Sequence, residues 1–265
     1  MPKPFKLVAK PELNSPNLLA AWPGISNVAI IVASYLAKKL DFKELAVVDD
    51  SYFFEPIGVL VKNNLVEAPQ FPRSRFYYYK NEPGKKDLIL FIGDDQPTTK
   101  GYELANMIID IGQKFQVSRF FTCAAALTRI HHTEHPRVWT ATTNDQMTEE
   151  VRKYEMVMGG NLQISGLNGL LLGVAKERQE NGICLLGEVP AYATRLPNPM
   201  AALAIINVLS QILGVDIDTN ELAQQASEVK EKMKQVAAEA MEEYIDYFTE
   251  PIWERDSDED EEEED

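Results

Sequence analysis

Cysteine is scarce in this 265-residue sequence: there are two, Cys123 and Cys184, each inside an apolar run (FFTCAAAL and GICLLGEV). Two thiols cannot form the framework of a disulfide-stapled secreted domain. One bridge between them is possible, but two buried thiols in a reducing compartment are the expectation. Long hydrophobic runs are missing as well. None reaches the ~18 residues of a membrane-spanning helix, and the first twenty residues lack the basic-then-apolar layout of a signal peptide. A cytoplasmic protein without a membrane partner is expected. Basic charge is also in deficit, with 26 Lys and Arg against 41 Asp and Glu and a net charge of −15. Phosphate backbones are bound by concentrated Lys and Arg, so nucleic acid is excluded as a partner. There is no phosphate loop of the Gly-x-x-x-x-Gly-Lys-Ser/Thr type, no repeat at a period of 20 to 50 residues, and no low-complexity linker.

Histidine is confined to His131, His132 and His135. On a helix His131 and His135 would face the same way, as zinc ligands can. Pro136 biases His135 away from helical geometry, however, and no cysteine or further histidine remains to complete a ligand set. HHTEH is not the HExxH order of a metalloprotease. A solvated loop without metal or other cofactor is expected.

What the chain does contain is an alternation. Buried-strand runs (NLLAAW, ELAVVDD, DLILFIG, FFTCAAAL, GICLLGEV) are separated by stretches with helical period and length (SNVAIIVASYLAKKL, YELANMIIDIGQKF, GLNGLLLGVAKERQ, PMAALAIINVLSQIL). Ser26 is the expected cap of the first helix, and residues 52–75, rich in proline, are expected to be irregular. Continuous apolar strands alternating with helices predict a three-layer α/β fold, with a mostly parallel sheet covered on both faces. The expected organisation is one α/β domain over residues 1–218, a C-terminal helix over 219–250, and an acidic tail over 254–265. From Glu254 to Asp265 there are ten acidic residues and one arginine, a local net of −9. Such a block cannot bury apolar surface and is expected to be disordered. In the C-terminal helix, Asp218 and Glu221 resemble a capping box. Leu222, Ala226, Val229, Met233, Val236, Ala240 and Tyr247 then recur every four and three residues. A seven-residue repeat favours a seam against another helix, which makes Val229, Met233 and Val236 candidate partner-binding residues. The other reading is packing on the helix's own domain.

Candidate small-molecule residues follow from the strand ends, where open parallel sheets bind ligands. Gly93-Asp94-Asp95-Gln96-Pro97 closes one strand; Asp94, Asp95, Gln96, Glu188 and Arg195 would form a ligand site if they converged there. The plainer alternative has Asp94 and Asp95 bonding the backbone of a tight turn. Gly166, Gly169 and Gly173 open and line one helix; they suit either an anion at its start or close packing on the sheet. No activated nucleophile stands beside any of these groups, so no catalytic residue is assigned.

Five segments in order (AWPGISNVAIIVASYL, DLILFIGDDQPTTKGYELANMIIDIG, ISGLNGLLLG, ICLLGEVPAY and PNPMAALAIINVLSQILGVDIDTNEL) resemble the proteasome assembly chaperone family, the group named after its second eukaryotic chaperone subunit. The resemblance spans roughly residues 15 to 225. It implies a fold similar to the purine nucleoside phosphorylases, used as a non-enzymatic protein-binding scaffold that works as a homo-oligomer or with a related subunit. It also implies proteasome α-subunits as possible partners. Some members end in a hydrophobic-Tyr-any tripeptide that docks between α-subunits; this sequence ends in Glu264-Asp265, with Trp253 as its nearest aromatic. The competing expectation is a phosphorylase-like or ligase-like enzyme acting at the strand ends near Gly93 to Pro97.

Overall fold

In the computed structural model, residues 4–161 and 163–249 are described. Among the described residues ten strands and seven α-helices follow one another. They are β1 (Phe5–Leu7), β2 (Asn17–Ala21), α1 (Val28–Lys39), β3 (Lys43–Val48), α2 (Asp50–Phe53), β4 (Val61–Lys62), β5 (Leu65–Val66), β6 (Ser74–Tyr79) and β7 (Leu88–Gly93). Then come α3 (Gly101–Lys114), β8 (Arg119–Thr128), β9 (Val138–Thr142), α4 (Asp145–Val151), α5 (Gly166–Glu177), β10 (Gly182–Pro190), α6 (Pro199–Leu213) and α7 (Asn220–Thr249).

Eight strands make one sheet in the order β1-β3-β6-β7-β2-β8-β10-β9. The continuous apolar runs form its parallel centre: β7, β2, β8 and β10 pair in parallel. A strand buried on both faces has no reason to alternate, which is why these runs are apolar throughout. The flanks are antiparallel, with β6 on β7, β3 on β6, β1 on β3 and β9 on β10. The sheet is therefore mixed and mostly parallel, five of its eight strands running in one direction.

Successive side chains of each strand go to opposite layers. Leu19, Ala21, Leu88, Leu90, Phe121 and Leu185 face α1 and α6. Leu18, Ala20, Ile89, Phe91 and Phe120 face α3 and α5. The same alternation separates the cysteines. Cys123 lies in the α1/α6 layer and Cys184 packs with Ala126 and Leu186 on the other side, because Cys123 is paired in register with Leu185. Both are free thiols. Burial pushes Cys184 up to about 12 and Cys123 well above the ordinary thiol value.

Three local expectations are corrected. Ser26 does not cap α1; it sits in a single 3-10 turn at φ 51°, buried, and its hydroxyl donates to the carbonyls of Ala193 and Thr194 at 3.3 and 3.1 Å. Residues 52–75 are not irregular throughout, since they hold the end of α2, the separate two-stranded ribbon β4–β5 and the start of β6. His132 is not solvated; it is 6% exposed, and Tyr192 meets both its backbone N–H (3.0 Å) and its Nδ1 (2.8 Å). Desolvation lowers the His132 pKa, with His131 and the α7 lysines Lys230 and Lys234 adding to the effect.

The last helix begins beside α1, where the Tyr35 hydroxyl donates to the Asp218 carbonyl at 2.9 Å and Lys39 pairs with Asp218 at 3.1 Å. It then runs along α6 and against the turn Ala191–Ala193. The acidic stretch 254–265 and the heptad position Tyr247 lie outside the residues and side chains described. Among the described residues no helix is long and apolar enough to cross a membrane.

Candidate functional site

The four parallel strands end at one edge of the sheet, and the Gly93–Pro97 turn sits there. Gly93 lies against the fully buried Trp22: a Cβ at this position would come within 2.6 Å of the indole. Beyond it, Asp94, Asp95 and Gln96 each have a partner in their own chain. Asp94 Oδ2 accepts from the Arg73 N–H at 3.1 Å, while the Asp94 N–H donates to the Arg73 carbonyl at 2.8 Å. Asp95 Oδ1 accepts from the Gln96 N–H at 2.7 Å, which closes the turn as the backbone reading of this segment expects. Gln96 joins two other loops. Its Nε2 donates to the Pro23 carbonyl at 2.7 Å, and its Oε1 accepts from the Leu167 N–H at 2.8 Å.

That last bond bears on the glycines of α5. Gly166 has φ +71°, and a Cβ there would lie 2.6 Å from Gln96 Oε1. The glycine therefore lets a neutral amide oxygen approach the start of the helix, where an anion would otherwise find free N–H groups. Gly169 is needed for close packing, since a Cβ would fall 1.9 Å from the Ile164 carbonyl oxygen.

Glu188 lies at the same edge on β10, separated from the Gly93–Pro97 turn by β2 and β8. It does not meet Asp94 or Asp95. It is 1% exposed and accepts from the Arg137 backbone N–H (3.0 Å), Nε (3.2 Å) and Nη2 (2.8 Å) and from Trp139 Nε1 (3.0 Å). Burial alone would raise its pKa; the Arg137 and Trp139 donors outweigh it and hold the carboxyl below the usual Glu value. An ionised, fully hydrogen-bonded carboxylate is a poor proton donor, so Glu188 suits a structural role better than general acid chemistry. An open cleft of about 720 Å³ passes over this pair, lined by Arg129, Glu134 and His135 among others. Arg195 is exposed in the segment leading to α6. Among the described residues no three His, Cys, Asp or Glu side chains stand where they could hold a metal ion.

On α7, Met233 is fully buried within its own chain, while Val229 and Val236 are half-buried. A groove of about 750 Å³ runs between α7, α6 and the segments flanking β9, with Leu203, Val208, Ala223 and Ala226 in its wall and Lys230 at its rim.

Sequence reasoning missed the β4–β5 ribbon. Its signal was legible: two Val/Leu runs separated by two asparagines, V-K-N-N-L-V. Asn63 and Asn64 take φ 50° and 63°, the left-handed pair of a two-residue hairpin turn. Ile57, Val59, Leu60, Val61, Leu65 and Val66 are 45–73% exposed on it. Its root, by contrast, is held. The Asp50 carboxylate accepts from the Ser74 N–H at 2.8 Å and from Arg75 Nη1 at 3.1 Å, and Asp94 holds Arg73 from the other side. Burial raises the Asp50 pKa despite these donors.

Comparison with known proteins places this geometry. The model of the PAC2 family matches residues 18–237. An uncharacterized protein of Methanocaldococcus jannaschii is 27% identical over 225 residues, covering 83% of this chain and 82% of its own. Among solved structures, Pyrococcus furiosus PbaB, described as an archaeal proteasome activator, superposes with TM-score 0.73 at 28% identity, over 88% of this chain and 98% of its own. Pyrococcus furiosus PbaA, described as an archaeal homolog of proteasome-assembly chaperone, gives TM-score 0.67 at 27% identity, over 91% and 99%.

Proposed function

The chain belongs to the PAC2 family, and from that premise we propose that it is a non-enzymatic protein-binding scaffold that assists the assembly or activation of a proteasome, acting as a homo-oligomer. The candidate partners are proteasome α-subunits or a related family member. One observation carries the reading. At the strand-end edge, where an enzyme of this architecture would hold its reacting groups, Asp94, Asp95, Gln96 and Glu188 are spent on internal hydrogen bonds, and the same edge carries an exposed apolar ribbon. An exposed apolar patch of this kind suits a protein contact. PbaB is described as an archaeal proteasome activator and PbaA as an archaeal homolog of proteasome-assembly chaperone.

The test is direct mixing. Purified chain and recombinant archaeal proteasome α-subunits are combined at micromolar concentration and followed by size-exclusion chromatography with light scattering. Co-elution and faster appearance of α-rings are expected. If neither the α-subunits nor assembled proteasome particles form a complex with the chain, the proteasome assignment fails.

A further inference from the structure

The ribbon departs from the central strands of the main sheet, whose apolar faces have helical layers packed on them. Register assigns its faces. Val61 is opposite Val66 and Lys62 is opposite Leu65, so Val59, Val61 and Val66 share one face while Leu60, Lys62, Leu65 and Glu67 share the other. The second face is amphipathic, with Lys62 and Glu67 paired at 2.8 Å. The first is all valine, at 52%, 63% and 68% exposure. The Glu67 N–H donates to the Leu60 carbonyl at 2.8 Å; alternation along an antiparallel ladder then turns the backbone N–H and C=O groups of Val61 and Val66 outward. A lone two-stranded ribbon is marginal in water, yet this one stands on a root clamped by Asp50 and Asp94. Rigid root and uncovered tip together describe an arm.

We infer that the arm docks into a second copy of this chain, in the groove beside α2 and α3, by reciprocal exchange about a two-fold axis. The groove measures about 490 Å³ and is lined by Phe5, Tyr52, Phe53, Tyr102 and Met107. Tyr52 and Tyr102 are 46% and 48% exposed at its mouth. It adjoins the arm's own root, because α2 directly precedes the arm in the chain. An axis beside α2 therefore brings each arm to the other copy's groove. Area favours this arrangement over two arms stacked on each other. A fully exposed Val, Leu or Ile side chain presents roughly 60–120 Å² of apolar surface. Six such residues at 45–73% exposure amount to roughly 200–450 Å² per arm. Two arms face to face would bury about 400–900 Å², short of the ~1,200 Å² at which stable interfaces begin. Two arms in two grooves bury twice that, roughly 800–1,800 Å², a range that takes in the threshold. This inference deepens the homo-oligomer part of the proposed function and rests on it; it does not depend on the proteasome assignment.

The experiment measures mass by light scattering at micromolar concentration for the wild type, an arm variant (Val61→Asp with Val66→Asp) and a groove variant (Tyr102→Asp). Thermal unfolding of each serves as a check on the fold. Val61 and Val66 are exposed, so the melting temperature of the arm variant, compared at a concentration where the wild type is also dissociated, should agree with the wild type within about 2 °C. Tyr102 also donates to Glu177, so the groove variant is compared with Tyr102→Phe, which loses that bond without adding a charge. The expected result is a wild-type mass that is an even multiple of 29.9 kDa and a halved mass for both variants. A monomeric wild type would overturn this inference and the homo-oligomer reading together. An oligomeric wild type with either variant unchanged in mass would overturn the arm exchange alone. An arm variant that keeps its mass but loses α-subunit binding would assign the arm to a different partner and likewise overturn it.

Discussion

Replacing Glu188 with glutamine removes one charge from the interior and changes almost nothing in volume. The carboxylate accepts four hydrogen bonds, three from Arg137 and one from Trp139. Glutamine keeps one acceptor oxygen and turns an NH2 group toward donors, so about two of the four are lost. A hydrogen bond to a charged group contributes about 1.5–3 kcal/mol. The Arg137 side chain is 66% exposed, so water replaces part of the loss and the low end applies, about 3 kcal/mol in total. For a chain of this size each kcal/mol moves the melting temperature by about 2–4 °C, and a drop of roughly 6–12 °C at pH 7 is expected. The pH dependence gives a second handle. The folded-state pKa of Glu188 is depressed, so its contribution is complete above the unfolded value of about 4.3 and is lost as pH falls through the folded value. Differential scanning calorimetry of both proteins at pH 7, 5, 4 and 3 should show a full gap at pH 7 and 5 that narrows below pH 4. A gap under about 1 kcal/mol at pH 7, or one as wide at pH 3 as at pH 7, would refute the assignment of Glu188 as an ionised structural anchor.

Gln96→Ala removes both bonds that tie the Gly93–Pro97 turn to Pro23 and to the start of α5, and should cost about 2 kcal/mol in chemical denaturation; an unchanged midpoint would show that the latch carries no stability. Within α5, Gly169→Ala should destabilise severely, because its Cβ meets a backbone oxygen that cannot yield, whereas Gly173→Ala, with nothing within 4 Å, should stabilise by about 0.5–1 kcal/mol. Equal effects at the two positions would contradict the packing described. A thiol reagent at pH 8 should find neither Cys123 nor Cys184 in the native protein and both in denaturant; rapid native labelling would mean the core opens readily.

The layered architecture was legible because burial on both faces leaves an unambiguous trace, as in LLAAW, LILFI and ICLLGEV, and because helices of twelve to fifteen residues show their period clearly. The antiparallel flanks were not. Strands such as β6, with Tyr77 to Tyr79 half-buried, announce neither direction nor neighbour, which pairing alone decides. At the strand ends, composition picked out Asp94, Asp95, Gln96 and Glu188 but could not show that two strands separate the first three from the fourth. Nor could it show that the acceptor at the start of α5 is a side chain seventy-one residues earlier. His132 was misjudged for a related reason: its burial depends on Tyr192 and on α7, both remote in sequence. The ribbon was overlooked because its prolines, Pro56 and Pro69, suggest disorder, while its turn uses Asn-Asn rather than Asn-Gly.

The clamp at the root of the ribbon has a consequence for how this scaffold can be altered. Asp50 and Asp94 grip mainly the backbone N–H groups of Ser74 and Arg73, which any residue but proline supplies. Between these anchors Phe71 packs against the core and Pro72 is buried, but the exposed stretch 55–70 is not read by the grip. The exposed stretch is thus a socketed cassette: its sequence can change without retuning the layered body. A designer could likewise graft a foreign hairpin of similar span between the same two anchors and keep the host domain intact.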